Sequence, residues 1–156
     1  GVGFMVMGLY ESFLYSFLAT IAFAVLFQAP KRTLIISGVI GAIGWVVFVY
    51  LRQYLEYNSF HANFLATVAL ALISELSARM FKQPATVFLI PGIIPLVPGL
   101  GMYQGMKQII EKSYDNGVTT LLTAGTDSAA IALGIMVIAS IFRVIKMSAT
   151  KNFWTK

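Results

Sequence analysis

Cysteine is absent, and histidine occurs once, at His61. Disulfides, thiolate metal centres and cysteine nucleophiles are excluded, and a transition-metal site would have no second imidazole or thiolate to draw on. Charge is nearly as scarce. Six acids and eleven bases make up 11% of the 156 residues, where a soluble domain carries about 25%. At 58% hydrophobic residues the chain cannot cover itself in water, and the composition predicts an integral membrane protein in contact with a lipid bilayer. The net charge of +5 does not indicate a nucleic-acid partner, because the bases sit at the ends of apolar runs, as topology determinants do. The opening GVGFMVMGLYESF has no basic n-region and leads straight into an apolar segment, so no cleavable signal peptide is expected.

Apolar runs of bilayer length predict an all-α polytopic bundle, one transmembrane domain over 1–156, with spans at about 8–27, 33–51, 60–81, 85–106 and 118–145. Gln28-Ala29-Pro30-Lys31-Arg32 forms a basic turn after the first span. Gly38, Gly41 and Gly44 give the second a small-residue ridge suited to close helix approach, and a candidate contact for a partner. A mixed-charge loop is expected over 107–117, with Asp115-Asn116-Gly117 as its turn. Phe153 and Trp154 are expected as interface anchors. Five spans place the termini on opposite sides. Eight bases (Lys31, Arg32, Arg79, Lys82, Arg143, Lys146, Lys151, Lys156) fall on the C-terminal side and three (Arg52, Lys107, Lys112) on the other, so the N-terminus is expected outside and the C-terminus in the cytoplasm.

The fourth span is unusual. PATVFLIPGIIPLVPGLGMYQG, from Pro84 to Gly105, holds four prolines, three of them (Pro91, Pro95, Pro98) at i, i+4 and i+7. Each proline inside a helix costs about 3 kcal/mol against Ala and removes the donor for the carbonyl four residues back, here Val87, Pro91 and Ile94. Irregular backbone at membrane depth is tolerated only inside protein or beside a water-filled cavity. The stretch therefore predicts a broken helix at a transport site, with freed carbonyls as acceptors. Past Pro98, a restarting helix would offer the amides of Gly99, Leu100 and Gly101 to an anion. Acceptors and donors a few ångströms apart suit a zwitterionic amino acid or a small carboxylate. A kinked helix that only packs on its neighbours is the alternative.

Asp127 is the acid in the middle of a span, where such residues usually face the bundle interior and mark a substrate, ion or proton path. Thr120, Thr123, Asp127, Ala130 and Gly134 would make a small, polar stripe on one helix face. Counted at 1.5 Å per residue, Asp127 and Pro95 are both expected near the bilayer midplane. A structural Asp hydrogen-bonded between helices is the competing reading. Glu75 is expected to pair with Arg79 at i+4, and His61 to take an interfacial or capping role at a membrane edge.

The run LIPGIIPLVPGLGMYQGM (Leu89–Met106) resembles the signature of the threonine/serine exporter family, specifically its small membrane subunit. The basic turn after the first span, the Gly-rich second span and the Thr-rich entry to the last extend the resemblance through most of the chain. It implies a bacterial plasma-membrane exporter of threonine and serine, or in some members succinate, working with a second multi-span subunit. It carries over to Pro91, Gly92, Pro95, Pro98, Gly99 and Tyr103, but not to Asp127, which stands on physics alone.

The expected function is therefore a non-enzymatic exporter subunit binding a small-molecule substrate at Pro91, Gly92, Pro95, Pro98, Gly99, Gly101, Tyr103, Thr123 and Asp127, without metal or cofactor, and associating with a second subunit or with itself. A homo-oligomeric channel and a purely structural partner are the alternatives. An intramembrane enzyme is disfavoured. Gly125-Thr126-Asp127 faintly resembles an aspartyl-protease centre, but no second acid lies at its depth, and G-x-S-x-G and H-E-x-x-H are absent.

Overall fold

The computed structural model describes residues 8–154. Residues 1–7, Thr155 and Lys156 lie outside the described residues, as do the side chains of Asn152, Phe153 and Trp154. Regular structure among the described residues is entirely helical: α1 (Leu9–Leu26), α2 (Leu34–Gln53), α3 (Ser59–Phe81), α4 (Thr86–Ile93), α5 (Gly99–Ile110) and α6 (Tyr114–Trp154). Single 3₁₀ turns, Lys31–Thr33 and Ile94–Leu96, precede α2 and follow α4. Four helices are long and apolar enough to cross a membrane, and α4 with α5 makes a fifth if taken as one span bent by 43°.

The packing is inverted relative to a water-soluble bundle. The buried face of α1 is Ser12, Ser16, Thr20 and Ala24, while Leu14, Leu18, Val25 and Leu26 point outward. Lipid tails are as apolar as leucine, so helices in a bilayer associate through close packing of small residues. The Gly38/Gly41/Gly44 ridge works this way, inside the chain. A Cβ on Gly38 would stand 2.7 Å from Ile21 Cγ1, one on Gly41 would fall on Thr20 Oγ1, and one on Gly44 would stand 2.6 Å from Leu70 Cδ1. The ridge is thus used up against α1 and α3, which corrects the expectation that a partner subunit could dock on it. The apolar core is Ile40, Ala66, Leu70, Phe88, Leu96 and Ile131, contributed by α2, α3, α4, its 3₁₀ extension and α6.

α3 and α6 run side by side in the same direction: Ser59 meets Asp127, Thr67 meets Gly134, and Arg79 meets Phe142. α6 is 41 residues long, about 61 Å at 1.5 Å per residue, roughly twice the hydrocarbon thickness. Its first three turns lie beyond the start of α3 and pack antiparallel on α5 as a helical hairpin. The expected loop over 107–117 shrinks to Glu111–Ser113, with Lys112 in the left-handed region (φ 64°). Asp115-Asn116-Gly117 is not a turn. Gly117 is a contact point, where a Cβ would sit 3.0 Å from the Gly105 carbonyl and 2.6 Å from Ile109 Cγ1.

Candidate functional site: the break after α4 and the Asp127 contact

The backbone refills most of what the prolines empty. The Val87 carbonyl, freed by Pro91, receives Ser37 Oγ at 3.4 Å. The Pro91 carbonyl accepts the Ile94 N–H, and the Ile94 carbonyl accepts the Val97 N–H at 3.2 Å, the 3₁₀ tightening usual at helix ends. Each freed carbonyl therefore already holds one donor, and offers a ligand only its second lone pair. Val97 is then extended (ψ 130°) and Pro98 forms the N-cap of α5. The Gly99 amide is committed to the Val97 carbonyl at 2.8 Å, and the first bond within α5 runs from Met102 N–H to the Pro98 carbonyl at 3.0 Å. The Leu100 and Gly101 amides precede that bond, so the donor pair aimed out of α5 is two groups rather than three.

The nine expected site residues fall into three sets, with Asp127 apart from them. Pro91 and Gly92 are buried in the core, where a Cβ on Gly92 would meet Leu70 at 3.4 Å. Pro95, Pro98, Gly99 and Gly101 surround the break. Around a Cβ on Gly99 there is nothing within 4 Å, and one on Gly101 would rest 3.6 Å from Ala124 Cβ. Tyr103 and Thr123 face outward; the Thr123 hydroxyl donates to its own helix at the Thr119 carbonyl, 3.0 Å away. The inward stripe of α6 is Gly117, Ala124, Asp127, Ala130, Ile131, Gly134 and Ile138, so Ala124 takes the place expected for Thr123.

Asp127 is 8% exposed and accepts a hydrogen bond from Ser59 Oγ at 2.7 Å. Ser59 is the first residue of α3, and the N-terminal end of a helix favours a carboxylate. Asn58 caps that end, accepting the His61 amide at 2.9 Å with His61 Nδ1 2.7 Å away, so the histidine is the capped residue rather than the cap. Asp127 and the break share a level, since Gly101 meets Ala124, one turn from the acid. The level is not the middle of α3, however. Leu70 is its central residue, about 16 Å further along. α6 starts well beyond α3, so the acid lies nine residues past Val118 yet level with the start of α3.

Sequence reasoning did not find Ser59, nor a polar stripe below it. Asn63, Thr67 and Ser74 are at most 2% exposed, and Asn63 Oδ1, Thr67 Oγ1 and Ser74 Oγ have no hydrogen-bond partner among the described residues. Asn63 Nδ2 does donate, to the Ser59 carbonyl at 2.9 Å. An unmet buried polar group costs about 1–3 kcal/mol. The spacing Ser59, Asn63, Thr67, Ser74 (steps of four, four and seven) was the available signal. The expected Glu75–Arg79 pair does not form; Arg79 instead lies over the Phe142 ring, 4.7 Å from its centroid.

The family profile described as "Threonine/Serine exporter, ThrE" matches residues 12–141. A threonine/serine exporter of Corynebacterium glutamicum is 30% identical over 115 residues, 74% of this chain and 23% of that protein. An uncharacterized protein of Haemophilus influenzae is 25% identical over 112 residues, 71% of this chain and 37% of that one. No solved structure matches. The chain thus spans about a quarter to just over a third of the length of these curated relatives. With the profile covering most of its length, the chain belongs to the threonine/serine exporter family.

Proposed function

We propose that this chain is the membrane part of a bacterial plasma-membrane exporter of small amino acids, threonine and serine first, with a small dicarboxylate such as succinate as the alternative cargo. Substrate binds beside the break between α4 and α5. The observation that carries this reading is the shared level of two features: a helix start with outward amides at Leu100 and Gly101, and a buried carboxylate at Asp127. The amides suit the substrate carboxylate, and Asp127 suits an ammonium group or a coupling proton or ion.

In this reading the end of the bundle that gathers Lys31, Arg32, Arg79, Lys82, Arg143, Lys146 and Lys151 faces the cytoplasm. A second multi-span subunit, or another copy, completes the transport unit; the exposed apolar residues Leu100, Tyr103, Met106 and Ile110 along α5 support such a partner. The test is efflux of labelled threonine, serine and succinate from cells with and without the chain. Unchanged rates for all three would remove the reading.

A further inference from the structure

Beside the basic end of the bundle, α3, α6 and the start of α4 enclose a cleft of about 470 Å³ lined by Glu75, Ala78, Arg79, Gln83, Lys146 and Ala149, among others. Its volume falls within the roughly 300–1,000 Å³ of small-molecule sites. Glu75 and Arg79 are one helical turn apart, the standard spacing for an ion pair, yet they form none: the guanidinium carbon lies over the Phe142 ring instead, 4.7 Å from its centroid. The cleft thus holds a half-buried carboxylate, Glu75, with Arg79 one turn along α3 and Lys146 on the facing α6. Opposite charges held apart on a cleft wall match a ligand that carries both signs itself. An α-amino acid is such a ligand, with its ammonium and carboxylate separated by one carbon.

We propose that this cleft is a first recognition site for zwitterionic amino acids, with Glu75 taking the α-ammonium and Arg79, aided by Lys146, the α-carboxylate. The inference rests on the export reading above and adds to it a site at the opposite end of α4 from the break. Arg79 is suited to its role, since its planar fork can hold a carboxylate in two parallel bonds while its face stays on the Phe142 ring. The site selects on charge pattern rather than side chain, so it admits threonine and serine alike and disfavours succinate, which brings no cation to Glu75. Above it, the unpartnered oxygens of Ser74, Thr67 and Asn63 continue along α3 to Ser59 and Asp127.

The experiment measures labelled L-threonine efflux against cytoplasmic threonine concentration, with membrane abundance determined for each variant. Glu75→Gln and Arg79→Gln should each raise the half-saturating concentration about tenfold or more, by removing a charge-assisted bond, while leaving the saturated rate per molecule near that of the parent chain. Glu75→Asp and Arg79→Lys should recover most of the loss. If the parent chain exports neither threonine nor serine, the export reading fails and the site falls with it. If the parent exports threonine and both Gln variants keep its half-saturation, export stands and the cleft is overturned. An efflux loss that only follows membrane abundance overturns it too. So does loss of co-purifying phosphatidylethanolamine, itself a zwitterion, from Glu75→Gln with half-saturation unchanged.

Discussion

Ser59 Oγ donates to Asp127 Oδ1 across 2.7 Å, tying the first residue of α3 to α6, the helix that begins fifteen residues after the proline-made break closes into α5 at Gly99. The acid is therefore doubly accounted for, by this hydrogen bond and by the helix end beneath it. Two variants separate charge from support. Asp127→Asn keeps an oxygen to accept from Ser59 and nearly the same volume, so expression and assembly should hold while efflux falls strongly. Ser59→Ala should instead lower stability by about 1–3 kcal/mol, read as a shift in melting temperature in detergent. Normal efflux with Asn at 127 would leave the acid a purely structural role.

The glycines divide into two kinds, and the division can be measured. Gly41→Val drives a side chain into Thr20; overpacking of this sort costs about 1–3 kcal/mol or more, and membrane abundance should drop. Gly99→Val meets open space, so abundance should match the parent chain. Efflux per molecule should nevertheless fall, because the valine stands beside the Leu100 and Gly101 amides. Full activity with Val at 99 would move the substrate away from this helix start.

Closing the break is the complementary test. Pro95→Ala with Pro98→Ala relieves up to about 6 kcal/mol of helix propensity cost and restores two internal donors. Detergent stability should be no lower than that of the parent, and efflux per folded molecule should fall. A less stable variant with full activity per molecule would show that the bend serves packing alone.

Orientation is open to direct labelling, since the chain has no cysteine of its own. Cysteine at Tyr57 or Asn116 should react with an impermeant reagent from outside intact cells. Cysteine at Thr150 should react only after the cells are opened. The reverse pattern would place the Glu75–Arg79 cleft on the outer face.

Much of this architecture was readable in the chain because its causes are local. Prolines at helical spacing interrupt a helix wherever the backbone goes, as they do between Ile93 and Gly99, although Pro91 itself stays inside α4. Contacts between distant segments were not readable. Asp115-Asn116-Gly117 has the composition of a turn, but its glycine is needed for the close approach of α6 to Gly105, a partner the local pattern cannot name. Asp127, Ala130 and Gly134 of the expected α6 stripe do face inward, but Thr123 gives its place to Ala124, because a hydroxyl in a helix can satisfy itself on its own backbone, as Thr123 does. The level of Asp127 against α3 was equally out of reach, since it depends on how far α6 extends past the start of α3.

The uninterrupted length of α6 has a mechanical consequence. No proline softens it between Tyr114 and Trp154, so it acts as a stiff beam supported near one third of its length by the Ser59–Asp127 contact. About 20 Å of beam lies on the hairpin side of that fulcrum and about 40 Å on the other. A tilt that moves the hairpin by 1 Å would move the far end by about 2 Å in the opposite sense, if the beam stays straight. The Phe142 ring under Arg79 and the Lys146 side chain ride on that longer arm, beyond the Thr67–Gly134 contact, so a tilt of the hairpin that carries through that contact would change the width of the cleft at the other end.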